Sequence, residues 1–205
     1  MQLPGRGARL AEPPVTTMQA LLQSLVPVIA RHNDRPFAFF GHSVGALVAF
    51  ELTRYLRLHG MSLPRQLIVS GCQAPQFRSV PRNYHLLDDD AFIDVLGVYK
   101  GTPRMVLENR ELMDLLMPAL RADFSIAETY RYRGGPQLGL PITLFAGEHD
   151  DIRGEGQVDG WGRESSHPLS TIWFDGGHFF IDTHRQQVVD QVRAALSNVH
   201  EPLHA

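Results

Sequence analysis

Between Met18 and Arg31, Leu21, Leu22, Leu25 and Val28 fall on one stripe of a repeat of about 3.6 residues, which predicts an amphipathic helix. Thr16 or Thr17 is placed to cap it, and Pro27 inside the span predicts a kink. HNDRP then reads as a turn. From Phe37 to Phe40 the periodicity gives way to an unbroken apolar run, the pattern of a strand buried on both faces. Val44 to Leu58 returns to helical spacing, with Gly60 as its stop. Gln66 to Ser70, QLIVS, is a second buried strand. Strand, helix, strand is a βαβ unit and predicts a parallel sheet.

The alternation then breaks. No strand pattern occurs from Gly71 to Gly139, while Asp88 to Tyr99, Arg110 to Met117 and Ala119 to Tyr130 read as helices, with Pro118 opening the last. This is far more chain than one crossover needs, so it reads as a helical insertion. Strands resume at Ile142 to Ala146 and Thr171 to Phe174. A closing helix, Arg185 to Leu196, turns Val188, Val189, Val192 and Leu196 to the core. The expected fold is α/β, a mostly parallel sheet with helices on both faces. Residues 1–74 and 131–205 form the core, and residues 75–130 form a helical lid over its functional edge.

Composition narrows the function classes. The chain has 205 residues, 43% of them hydrophobic and 20% charged, with a net charge of −3. It has no basic stripe for nucleic acid and no apolar run of the roughly 20 residues that span a membrane. Its N-terminus lacks a hydrophobic signal core. The lone cysteine, Cys72, excludes an intrachain disulfide and reads as a small core residue. A cytoplasmic monomer is expected.

The chemistry centres on GHSVG, residues 41–45, a match to G-x-S-x-G at the junction of the first strand and its helix. There Ser43 is a nucleophile in a strained turn. Gly41 and Gly45 are expected to let strand and helix approach, and the helix dipole favours negative charge nearby. The plainer alternative is that Ser43 merely caps the helix. A serine needs a base and an acid, which on this architecture follow in the order Ser, acid, His. His178, in FDGGHFFID after the last strand, is the candidate base. His149 and His167 precede that strand, His184 opens the closing helix, and His200 and His204 lie in the tail. Asp150 and Asp151 both follow the strand in ITLFAGEHDD. Asp150 is the candidate acid and Asp151 the runner-up, while Asp175 is too near His178 in sequence. The Val44 backbone N–H is the candidate oxyanion donor. A metal site at Glu148, His149, Asp150 and Asp151 lacks a recognised ligand spacing, so no metal is expected.

With these residues in place, the chain resembles the type II, free-standing thioesterases of polyketide and nonribosomal peptide synthesis. The resemblance rests on LPGRGARLAEPP, RPFAFFGHSVGALVAFEL, GTPRMVLENRELMDLLMPALRADFSIAETY and GGHFFI. The pattern PGR-x-x-R-x-x-E-P and the segment LRADF are its more specific parts. It implies an α/β-hydrolase that cleaves acyl groups from the phosphopantetheine arm of an acyl or peptidyl carrier protein, clearing stalled or misprimed chains without a cofactor of its own. It implies that the insertion shapes an acyl channel, with Met105, Met113 and Met117, and also Leu107 and Leu116, as lining candidates. Ordinary packing between helices is the alternative for each. In thioesterase domains fused to a synthase, the acid typically follows the strand after the nucleophile helix. That place here reads LIVSGCQAPQ, without Asp or Glu, which supports Asp150.

The chain departs from the family at its start. The family ordinarily has a strand, a Gly-rich loop and a helix before the LPGR stretch, and this sequence begins almost at LPGR. The expectation is an incomplete or naturally shortened chain, lacking the loop that carries a second oxyanion N–H and exposing an apolar sheet edge, hence poorly soluble and weakly active. A general serine esterase on the same fold and a non-catalytic carrier-protein binder are the rival readings.

Overall fold

A computed structural model of the chain describes residues 1–32, 34–78, 82–151 and 156–197. Asn33 of the predicted turn, residues 79–81 of the predicted insertion, and the tail histidines His200 and His204 lie outside the described residues. The chain divides into two compact units, Met1–Gln23 with Ser79–Arg131 and Ser24–Arg78 with Tyr132–Ala205.

The second unit is built on four parallel strands in the order β1-β2-β3-β4: β1 Ala38–His42, β2 Gln66–Ser70, β3 Ile142–Gly147 and β4 Ser170–Phe174. α2, Val44–Leu58, links β1 to β2. β1 runs to His42, two residues past its predicted end, because Gly41 and His42 continue the register against Val69 and Ser70. β2 and β3 are buried throughout, as their apolar runs predict. β1 is an edge strand of this sheet, with Phe40 exposed.

Side chains alternate between the two faces. Ile68, Phe145 and Phe174 share one face and pack with Phe180, Val188 and Ala195, from the short helix α6 (Phe180–Thr183) and α7 (Arg185–Ser197). Gly41 faces the other way, onto α2. Helices therefore cover both faces. Val189, expected in the core, is 38% exposed, and Ala195 is buried instead. Positions 188, 192 and 195 fall on one helical stripe, whereas 189 lies about 100° around the axis from 188. Beyond this packing, Trp161 is fully buried edge-on to Phe50 and donates Nε1–H to the Cys72 carbonyl at 2.8 Å.

α1, Met18–Ala30, buries Leu21, Leu22 and Leu25, and the Thr17 hydroxyl accepts the Ala20 N–H. The first unit contains α3 (Asp89–Tyr99), α4 (Arg104–Leu107) and α5 (Arg110–Thr129). Asp88 and Asn109 cap α3 and α5 by accepting the N–H groups of Ala91 and Leu112. The apolar faces of these helices meet at Phe92, Leu96, Met113 and Met117. α5 corrects the sequence reading, because it is one helix through Pro118 rather than two. A helix-interior proline costs roughly 3 kcal/mol, chiefly through the lost bond to the carbonyl four residues back. Here Pro118 and Asp114 both lie on the exposed side of the helix. The buried stripe of Met113, Met117, Ala122 and Ile126 continues on either side of it. Among the described residues, no helix is long and apolar enough to cross a membrane.

Candidate active site

At the C-terminal edge of the sheet, β1 ends at His42 and the chain reverses through Ser43, whose backbone is at φ 53° and ψ −121°. A non-glycine residue holds this left-handed geometry at a cost of order 1–3 kcal/mol, and only where its surroundings impose it. One constraint is Gly41: a Cβ there would stand 2.1 Å from the Gly45 carbonyl oxygen. Another is the Ser43 N–H, which donates to the Ser70 carbonyl at 2.8 Å and extends the sheet ladder by one residue. Gly45 does not share the expected steric role, since a Cβ on it would meet nothing within 4 Å. The close approach is one-sided, because the carbonyl of residue 45, not its side chain, faces the strand.

Ser43 occupies the N-cap position of α2, yet its side chain makes no capping bond. Its hydroxyl lies 3.0 Å from His178 Nε2 instead. His178 Nδ1 lies 2.9 Å from Asp150 Oδ2. A carboxylate only accepts, so Nδ1 carries the proton and Nε2 is left to accept from the serine. The predicted trio Ser43, Asp150 and His178 is thus brought into one hydrogen-bonded chain, from three loops that follow β1, β3 and β4. Asp150 is buried and its neighbour Asp151 is exposed.

The loops bearing acid and base are joined by main-chain bonds. The Glu148 N–H donates to the Phe174 carbonyl at 2.8 Å, and the His149 N–H to that of Gly176 at 3.0 Å. Asp175 turns away from His178 and pairs with His149 at 3.0 Å. Among the described residues, Glu148, His149 and Asp175, all exposed, are the grouping that brings possible metal-ligand atoms within 4.8 Å of one another. Asp150 is engaged with His178 and stands outside it. The Val44 N–H opens α2, at a position where the helix provides no acceptor of its own. The helix dipole makes this end of α2 favourable to negative charge.

The methionines assigned to an acyl channel lie apart from one another in burial. Met113 and Met117 are 1% and 7% exposed, inside the helical core with Phe92 and Leu96, whereas Met105 is 78% exposed. Cys72 is buried, and burial pushes its thiol up to about 11, so it stays protonated at neutral pH. Sequence reasoning missed His42. Standing as the variable residue of G-x-S-x-G, it is treated by the motif as filler. Its ring nevertheless lies 5.0 Å from that of His178.

Residues 1–196 match the thioesterase domain family. The chain is 38% identical over 201 residues to the gramicidin S biosynthesis protein GrsT of Aneurinibacillus migulanus, covering 96% of this chain and 78% of that one. Among solved structures it is similar to ClbQ from the colibactin NRPS/PKS pathway, with TM-score 0.90, 33% identity and coverage of 97% and 84% of the two chains. It is also similar to the type II thioesterase BorB from the borrelidin biosynthetic cluster, with TM-score 0.84, 36% identity and coverage of 94% and 78%.

Proposed function

We propose, from the premise that this chain belongs to the thioesterase domain family, that it hydrolyses acyl thioesters held on the phosphopantetheine arm of a carrier protein. In this reading it clears stalled or misprimed chains from a polyketide or nonribosomal peptide assembly line. The observation that carries the reading is the continuous hydrogen-bonded path from Ser43 Oγ through His178 to Asp150, with Ser43 in a strained turn at a helix N-terminus. The similarity to proteins named for such pathways supports the substrate class.

His178 Nε2 takes the Ser43 proton as Oγ attacks the thioester carbonyl carbon. The carbonyl oxygen gains negative charge beside the Val44 N–H, and Asp150 stabilises the imidazolium that forms. The tetrahedral intermediate collapses by breaking the C–S bond, and His178 returns the proton to the departing pantetheine sulfur. A water molecule then attacks the acyl-serine with His178 again as base, releasing the free acid and restoring the Ser43 hydroxyl.

The test is hydrolysis of an acyl-loaded carrier protein by the chain and by Ser43→Ala, with a matched oxygen ester alongside. The expected result is thioester turnover that falls by a factor of about 10³ or more in the variant. Equal turnover by the two proteins removes Ser43 from the mechanism. Turnover confined to the oxygen ester makes the protein a general esterase.

A further inference from the structure

His42 is held from four sides. Its Nδ1 shares a 2.9 Å hydrogen bond with Ser70 Oγ, from its register partner on β2, and Ser70 is fully buried. At the side stands Gly71, in a left-handed conformation at φ +53°, where a Cβ would come within 2.5 Å of His42 Cε1. The Phe180 ring lies edge-on at 5.8 Å, and Phe179 lies at 6.1 Å. The fourth neighbour is His178, whose ring centre is 5.0 Å away at an interplanar angle of 48°. His42 Nε2 is buried in this neighbourhood and has the His178 backbone as its polar neighbour.

The inference rests on Ser43, His178 and Asp150 being the reactive centre. Hydrogen bonds to Asp150 and Ser43 set the two nitrogens of His178 but leave its ring free to rock about the line between them. We infer that His42 is the positioning residue of the base: its ring, pinned by Ser70, is the plate on which the His178 imidazole rests, with Nε2 aimed at Ser43. The plate carries no charge at neutral pH. Burial first, and the adjacent His178 second, hold His42 down at about 4, against weaker opposite pulls from Asp150 and Asp182. A second cation beside His178 would oppose the imidazolium that the reaction must form. Asp150, Asp182 and His178 are the titratable groups that act on His42.

The test compares wild type, His42→Ala, His42→Phe and Ser70→Ala in the full chain, by thioester turnover and by NMR titration of the His178 ring, assigned with His178→Gln. His42→Ala is expected to lower kcat by about 10- to 100-fold with KM changed less than about threefold, the cost of a misaimed reacting group. Its His178 titration curve should differ from that of wild type, because water enters the vacated space. His42→Phe keeps an aromatic face and is expected to recover kcat to within about threefold of wild type. Ser70→Ala unpins the ring and should give a smaller loss in the same direction. The inference is overturned if His42→Ala turns over and titrates like wild type, or if His42→Phe is as impaired as His42→Ala. Should His42→Ala fail to fold, Ser70→Ala decides, and unchanged kcat and titration there also overturn it. The titration does not depend on turnover, so a wild type inert toward thioesters would refute the proposed function while still testing the role of His42.

Discussion

Arg6 and Asp123 close a two-pronged ion pair within the helical unit, Nη1 to Oδ2 at 2.9 Å and Nη2 to Oδ1 at 2.8 Å. The two stretches that made the sequence most recognisable, PGRGARLAEP and LRADF, therefore meet in space. Arg9 and Glu12 of the first stretch form a second fork, at 2.8 and 2.6 Å. Those motifs read as scaffold of the first unit. Arg6→Lys keeps the charge and loses the planar fork, and Asp123→Asn loses the charge. Each is expected to cost about 1–2 kcal/mol, limited by the partial exposure of both groups. Chemical denaturation of the two single variants and the double variant measures it, with the double losing less than the sum of the singles.

Asp150 and Asp151 are adjacent, and only Asp150 reaches His178. Asp150→Asn should lower kcat by about 10³–10⁴ with the circular dichroism spectrum unchanged, because the amide favours the wrong imidazole tautomer. Asp151→Asn should stay within about twofold of wild type, as expected of an exposed group away from the base. Steady-state kinetics on the pair separates them, and equal losses would reverse the assignment.

The two glycines of the serine motif should respond in opposite directions. Gly41→Ala drives a Cβ into the Gly45 carbonyl and should destabilise the protein by more than about 3 kcal/mol or prevent folding. Gly45→Ala meets nothing within 4 Å and should stabilise by up to about 1 kcal/mol through helix propensity. Urea unfolding midpoints report both.

His42 also makes a prediction about acid stability. Its value falls from an ordinary 6.5 to about 4 on folding, so the unfolded chain binds more protons between those limits. The stabilisation is complete above about pH 6.5 and is lost as pH falls toward 4, on the order of 3 kcal/mol at most. Burial pushes Glu128 up, but bonds from His85 and from the Tyr84 and His85 N–H groups outweigh it, so its own loss comes below its ordinary 4.5. His42→Phe removes the upper window alone. Unfolding free energy measured from pH 7 to pH 4.5 should fall steeply in wild type and more gently in the variant. Parallel curves would contradict the neutral His42.

Much of this arrangement was legible along the chain, and the reasons are local. α2 and β2 fall where their patterns place them, Val44–Leu58 and Gln66–Ser70, because each apolar repeat is bounded by turn residues. Ser43, Asp150 and His178 could be picked out because strand ends in a parallel sheet share one edge. The sequence pattern failed at Pro118, where local chemistry predicted a break and a continuous buried face prevented one. It also failed at Val189, one step off the stripe that faces the sheet, and at Gly45, whose missing Cβ leaves open space.

By itself the amino-acid sequence determined the order of elements, the parallel sheet and the serine, the aspartate pair and the histidine at its edge, because side-chain periodicity and turn chemistry act between near neighbours in the chain. Only the tertiary structure decided which of two adjacent aspartates faces the base. It alone decided that Arg6 answers Asp123 and that His42 lies beside His178. The first joins the start of the chain to α5 within the helical unit, and the second joins residues that the register of β1, β2, β3 and β4 brings to one sheet edge. No local pattern encodes them.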